Sequence, residues 1–158
     1  MAGELKDILE QVVTTVEATT PYAVSGVPAP TTFRKHGGPS MDGAQSRQFD
    51  VLVLALTKRN DTGTTAAAAF VEREATFAVR VFFQQGADSA TDFHVVVFED
   101  VRRIQDRVVR AVREMGGGSF ACHCPEPAQP EPADEPQSLF VTIPFVVQFN
   151  DDEYISGA

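Results

Sequence analysis

Residues 70–84, FVEREATFAVRVFFQ, decide the fold of this chain, because they combine unusual length with a regular alternation of side chains. Successive side chains of a strand point to opposite faces of its sheet, so a strand here would have two distinct faces. One face would carry Phe77, Val79, Val81 and Phe83, and the other Thr76, Ala78, Arg80 and Phe82. The segment therefore predicts a long strand with one strongly apolar face.

A second strand is predicted just before this one, at residues 48–56, QFDVLVLAL. It is apolar on both faces, so we expect it to be well covered. Residues 57–70 separate the two strands and consist of small and polar residues, with turn formers at Asn60 and Asp61. Together the segments predict an antiparallel hairpin with a long tip.

Amphipathic helices are predicted on both sides of this hairpin. Residues 4–18 repeat apolar side chains at helical intervals, and Pro21 marks the end of that helix. Residues 99–115 carry a second apolar stripe, which three consecutive glycines at 116–118 terminate. The preceding HVVVF, residues 94–98, suits a strand or a helix equally.

The second helix is rich in arginine, which superficially resembles a patch for binding nucleic acid. Acidic side chains alternate with the arginines, so the face is close to neutral and favours a salt-bridged surface exposed to solvent. A protein interface is the alternative, because arginine is a favoured anchor there. The arginines are Arg102, Arg103, Arg107, Arg110 and Arg113, and the acids are Glu99, Asp100, Asp106 and Glu114.

Segments rich in proline, glycine or small residues fill much of the remaining chain. Residues 21–47, 57–70 and 125–138 are predicted to be long loops, of the kind that order on a partner. Residues 119–124 are predicted to be short and extended. The acidic tail comprises residues 150–158.

Residues 139–149, LFVTIPFVVQF, predict the last strand. Pro144 lies within it and has no N–H to donate, which favours an edge strand or a bulge. The elements together predict one α+β domain over residues 1–158. We expect an antiparallel sheet of about four strands, with both helices packed on one face.

The formal net charge is −9, with 13 Lys and Arg against 22 Asp and Glu. From Pro125 onward the chain has seven acids and no base, whereas residues 1–124 are nearly balanced. This balance disfavours binding to the phosphate backbone of DNA. No stretch is long and apolar enough to predict a membrane span, and the N-terminal residues do not resemble a secretory signal. We therefore expect a protein of the cytoplasm or of something assembled there.

Residues able to carry chemistry are few. Cys122, His123 and Cys124 offer at most three metal ligands, whereas structural zinc sites normally use four, so buried reduced thiols are the better interpretation. No motif of nucleophilic or phosphate-binding enzymes is present, so neither catalysis nor a cofactor is expected. The alternative is a small dimeric enzyme or ligand-binding domain, with His94, Arg80 and His123 as the polar groups of a helix–sheet cleft.

The order of these elements resembles the tail terminator and tail-completion proteins of tailed bacteriophages. The helix EDVRRIQDRVVRAVREM (99–115) and the closing strand FVTIPFVVQFNDDE (140–153) carry the resemblance most clearly. It implies a virion protein, assembled in the host cytoplasm, that forms a ring, typically sixfold. Such a ring ends polymerisation of the tail tube and joins the tail to the head connector. The proline-rich 125–138 segment departs from the pattern and leaves open another neck role, such as a head-closure protein.

The resemblance also implies where partners would bind. The hairpin tip and the 21–47 loop would contact the tail tube protein and the connector or stopper protein, through Lys58, Arg59, Asn60, Asp61, Phe70, Arg34 and Lys35. DNA would pass through the ring without specific binding, because an acidic lumen repels it. The candidate lumen residues are Glu131, Asp134, Glu135, Asp151, Asp152 and Glu153.

Overall fold

The computed structural model describes residues 4–22, 32–35, 46–61, 71–85, 90–115, 120–133 and 138–151. Two helices and six strands follow one another along these residues. They are α1 (Glu4–Glu17), β1 (Thr32–Lys35), β2 (Ser46–Asp61), β3 (Val71–Gln84), α2 (Ala90–Glu114), β4 (Ala121–His123), β5 (Gln129–Pro132) and β6 (Ser138–Asp151).

The strands form one mixed sheet in the order β1-β2-β3-β6-β4, and β5 also pairs with β6. β1 is parallel to β2, whereas the other pairs are antiparallel. The predicted α+β class is therefore confirmed. The predicted sheet of about four antiparallel strands is wrong, since the described residues contain six strands and one parallel pair.

β1 and β5 are the two strands that the sequence does not predict. β1 lies inside the predicted 21–47 loop, and β5 (QPEP) lies inside the predicted 125–138 connector. Each has only four residues, which is too short for an alternating pattern to be recognised. The prolines of β5 alternate with Gln129 and Glu131, and an edge position tolerates such residues because one side of the strand needs no hydrogen bonds.

The long strand predicted at residues 70–84 is confirmed as β3, which pairs with β2 on one side and β6 on the other. Its predicted apolar face lies in the core, where Phe77 stacks on Phe145 of β6 with ring centroids 5.2 Å apart. Both helices contribute to the same core. The helical residues fully buried in it are Ile8, Val12 and Val16 of α1, with Ile104, Val108 and Val112 of α2.

α1 is confirmed almost as predicted, whereas α2 is longer than its secure prediction. α2 begins at Ala90, so the ambiguous HVVVF segment is helical. The buried residues Phe93 and Val96 extend the stripe of Ile104 by further helical turns, which explains why this segment is helical despite its β-branched residues.

β6 is an inner strand without a bulge at Pro144, which pairs in register with Ala78. The prediction of an edge or a bulge is therefore wrong. On its other side β6 pairs with β5 over residues 139–142 and with β4 over residues 146–148. Pro144 lies between these two short strands, where its missing N–H interrupts neither ladder.

Candidate functional site

The most unusual surface of this chain lies on β2. Four large apolar side chains there, which we call the β2 apolar segment, are between 38% and 55% exposed: Leu52, Val53, Leu54 and Leu56. The prediction that this strand would be well covered is therefore wrong. An exposed apolar cluster of this kind is typical of an interaction surface, because single exposed residues are normal but contiguous ones are not.

The short length of β1 explains why this segment is uncovered. β1 pairs with β2 only from Ser46 to Phe49. From Asp50 onward, β2 has β3 on one side and, among the described residues, no strand on the other. A long strand edge with unpaired backbone groups is a template for pairing with another chain.

Two irregularities interrupt the pairing of β2 with β3, one between Val53 and Ala55 and the other between Lys58 and Asn60. Leu54 lies at the first, where it is the most exposed member of the β2 apolar segment. Bulges bend a strand and change which way its side chains point. Exposed side chains lie on both faces of β2 even before this bulge, because the neighbours Leu52 and Val53 point to opposite faces of the sheet.

A second apolar surface lies at the N-terminal half of α2, where Phe98 is 66% exposed and Val95 is 40% exposed. Phe98 stands at a cleft of about 460 Å³ between α2, β5 and β6, which we call the α2 cleft. Among the described residues, no Asp, Glu, Lys or Arg lines it. Its lining residues are Phe93, His94, Val97, Phe98, Val101, Gln105, Pro127, Ala128, Pro130, Leu139 and Val141.

The structure does not bring the predicted contact residues together. Arg34 and Lys35 belong to β1 and are exposed beside the base of β2. Lys58, Arg59, Asn60 and Asp61 continue β2 as a strand, so the predicted tip begins later than residue 57. These two groups are roughly 30 Å apart along β2. Phe70 lies outside the described residues.

The predicted lumen acids are also separated. Glu131 lies on β5 opposite Phe140, whereas Asp151 ends β6, roughly 35 Å further along that strand. Glu131 forms a 3.5 Å ion pair with Arg80, so it is not a free carboxylate. Asp134, Glu135, Asp152 and Glu153 lie outside the described residues.

The polar groups of the alternative ligand site do not converge either. His94 lines the α2 cleft. Arg80 lies on the opposite face of the sheet, where its guanidinium is 4.1 Å from the ring centroid of Phe140. His123 is exposed on β4, four residues further along β6 than the partner of Arg80. The three residues therefore cannot bind one small ligand together.

A buried ion pair that the sequence did not predict joins α2 to β2. Arg47 Nη1 donates to Asp100 Oδ2, and the side chains are 6% and 0% exposed. Asp100 Oδ1 also accepts the backbone N–H of Tyr22 at 2.7 Å. Burial raises the pKa of the Asp100 carboxyl, while Arg47 and the Tyr22 N–H act in the opposite direction. Asp100 therefore ties together β2, α2 and the chain after α1.

This pair corrects the prediction that Asp100 belongs to the solvent face of α2. Glu99 and Asp106 do lie there and pair with Arg102, at 2.8 and 3.7 Å. Arg103 instead donates to the carbonyl of Thr20 at 2.9 Å. The sequence does indicate that Asp100 is buried, because it is spaced four residues from both Val96 and Ile104 on the buried stripe.

The cysteines are reduced and structurally distinct. Cys122 is buried on β4, as predicted for a thiol on a strand, and Cys124 follows the strand and is half-buried. Burial, with a smaller effect of Cys124, raises the pKa of Cys122 to about 12, although the nearby Arg113 acts in the opposite direction. Burial and the nearby Asp106 also raise the pKa of Cys124. These thiols are therefore poor nucleophiles.

In the described part of the chain, no group of three or more His, Cys, Asp or Glu side chains is placed to hold a metal ion. Neither α1 nor α2 is long and apolar enough to cross a membrane.

Comparisons with known proteins give little guidance. No protein-family model matches the chain, and no curated protein matches it. Among solved structures, one that is 17% identical aligns over 94% of this chain and 96% of its own, with a TM-score of 0.47. A likeness of this degree carries no argument, so function must be inferred from the residues themselves.

Proposed function

We propose that this protein is a structural subunit of a phage tail that assembles into a ring, as a tail terminator does, and has no catalytic role. The ring would stand at the head-proximal end of the tail tube, end its polymerisation and join it to the head connector. The observation that carries the proposal is the exposed β2 apolar segment on an edge that no described strand covers.

The energy available from this surface is appropriate for self-association. Burying a Val or Leu side chain completely is worth about 1.5–3 kcal/mol. Covering four side chains that are roughly half exposed would therefore contribute about 3–5 kcal/mol. Association costs at least a comparable amount of translational and rotational freedom. The contact would then be reversible in isolation, and a closed ring, in which every copy makes two contacts, would be stabilised further.

The net charge is consistent with this role. At −9 the chain repels duplex DNA, which is favourable for a ring through which DNA passes. In this proposal the end of β6, where Asp151 lies, is near the lumen. Glu131 contributes less, because Arg80 neutralises it. A head-closure protein would use the same kind of ring, and binding to isolated tail tubes distinguishes it from a terminator.

The α2 cleft favours a second candidate, a domain that binds a small apolar ligand. Its volume of about 460 Å³ and its apolar lining are within the range of ligand pockets. Of the described lining residues, His94 and Gln105 alone have polar side chains, so such a ligand would be oriented weakly. This candidate predicts a monomer or dimer whose cleft takes up a hydrophobic dye in competition with a ligand.

A double variant on β2 tests the proposal. Leu54→Asp/Leu56→Asp places two carboxylates on the exposed segment, so we expect it to remain folded and to lose self-association in light scattering. Arg107→Asp is the matched control, since it changes the net charge equally at an exposed position of α2. If the β2 variant assembles as the wild type does, this segment does not hold the ring together.

A further inference from the structure

We propose that the β2 apolar segment of one copy packs into the α2 cleft of the next copy. This inference rests on the proposed function and names the surface that receives β2. All the large apolar side chains that are exposed among the described residues belong to β2 or to the N-terminal half of α2. The contact therefore uses both of the exposed apolar surfaces that the described residues form.

The two surfaces cannot cover one another within one chain. β2 and β5 are separated in the sheet by β3 and β6. The β2 apolar segment also pairs with β3 around residues 75–78, whereas the cleft residues Leu139 and Val141 pair with Phe83 and Val81. The surfaces thus lie towards opposite sides and different ends of the sheet.

This separation determines the symmetry of the contact. If β2 packed on β2, the interface would be self-complementary and would close as a dimer. A contact between two different surfaces is head-to-tail and generates a ring when its rotation closes. Copies joined through β2 and the α2 cleft therefore need no second kind of interface to form a ring, provided that the rotation between neighbours closes.

The distribution of charge favours the α2 cleft over the other described grooves as the surface that receives β2. Copies with a net charge of −9 repel one another, so they are best joined where neither surface is charged. Residues 51–57, VLVLALT, contain no charged residue, and the described lining of the α2 cleft contains no Asp, Glu, Lys or Arg. The groove beside α1 is instead lined in part by Lys6, Glu10 and Lys35.

The shape of the α2 cleft also favours it as the surface that receives β2. The cleft has one wall of α2 side chains and another formed by Pro127, Pro130 and β6 residues. Phe98 stands exposed at its opening. Exposed side chains lie on both faces of β2, so those of one face can enter the cleft.

Mixing two variants tests this inference. Leu54→Asp/Leu56→Asp damages only β2, and His94→Asp/Phe98→Asp damages only the cleft, since both of these exposed residues line it. We expect each variant to be monomeric alone by native mass spectrometry. A mixture should form a 1:1 heterodimer at protein concentrations above those at which the wild type forms rings, because the intact β2 of the second variant can enter the intact cleft of the first but this single contact lacks the stabilisation of a closed ring. Arg107→Asp should assemble normally.

The outcomes separate the inference from the proposed function. If the cleft variant still forms rings while the β2 variant does not, β2 has another partner and the inference is wrong, although the ring remains. If both variants are monomeric but their mixture does not associate, the two surfaces do not meet. If the wild type never assembles, the proposed function fails and the inference fails with it.

A cross-link provides a second measurement that does not depend on charged substitutions. Leu54→Cys with Phe98→Cys, in a Cys124→Ser background, places one thiol on each surface. Oxidation of assembled protein should produce a ladder of disulfide-linked multimers on a denaturing gel. Each variant with only one of the two introduced cysteines serves as a control and should give no species above a dimer. A double variant that yields only monomers and dimers contradicts the head-to-tail contact.

Discussion

Replacing Asp100 by Asn should destabilise the protein strongly, although Asn has nearly the same shape. Asn retains an oxygen that can accept the Tyr22 N–H, so the variant removes mainly the negative charge. It leaves the Arg47 guanidinium almost fully buried without a counter-charge. Breaking a buried ion pair in this way costs about 3–5 kcal/mol, because the remaining charge has lost its hydration.

The ring of Phe83 reduces this cost only in part. Its centroid is 4.9 Å from the Arg47 guanidinium carbon, and such a contact is worth about 0.5–2 kcal/mol. Because this contact is present in both proteins, it does not replace the carboxylate. We therefore expect a loss of about 3 kcal/mol or more, which for a chain of this size lowers the melting temperature by roughly 6–12 °C.

Urea unfolding followed by circular dichroism measures this loss, since the chain has no tryptophan for fluorescence. All variants should be compared at one protein concentration, because assembly adds to apparent stability. Arg47→Met completes a double-mutant cycle with Asp100→Asn. The double variant should be clearly more stable than the sum of the single losses predicts, because it leaves no buried charge. A loss below about 1 kcal/mol for Asp100→Asn, or strictly additive losses, would refute the reasoning.

Two further predictions concern the core and the thiols. Phe145→Ala removes one ring of the buried stack with Phe77 and should cost about 3–5 kcal/mol in the same urea assay, whereas a loss below about 1 kcal/mol would show that the rings do not pack as described. Because burial raises the pKa of Cys122 to about 12, this thiol should react with a maleimide at pH 8 far more slowly in the folded protein than in urea, and more slowly than Cys124. Equal rates for Cys122 in the folded and unfolded protein would contradict its burial.

The sequence predicted the elements that have a long, regular pattern. α1 and β3 were predicted almost residue by residue, because each buries one stripe or one face over many residues. β1 and β5 are four residues each, and their pairing depends on neighbouring strands that no local pattern encodes. A parallel partner such as β1 is especially difficult to foresee, since it follows no hairpin.

The exposure of the β2 apolar segment does not follow from the sequence for a different reason. The residues 48–56 are apolar on both faces, and from composition alone such a strand is expected to be buried. Coverage depends on how far the neighbouring β1 extends, and it ends at the residue pair Lys35 and Phe49. The buried position of Asp100 follows from its place on the apolar stripe of α2, but no local pattern indicates that Arg47 of β2 is its partner.

The mass of the wild-type protein, measured across concentration by native mass spectrometry and light scattering, tests the central claim most directly. The account predicts one closed species near six copies that dissociates to monomers on dilution, with ring-shaped particles in negative stain. A tight dimer without larger species, or a monomer at every concentration, would contradict it.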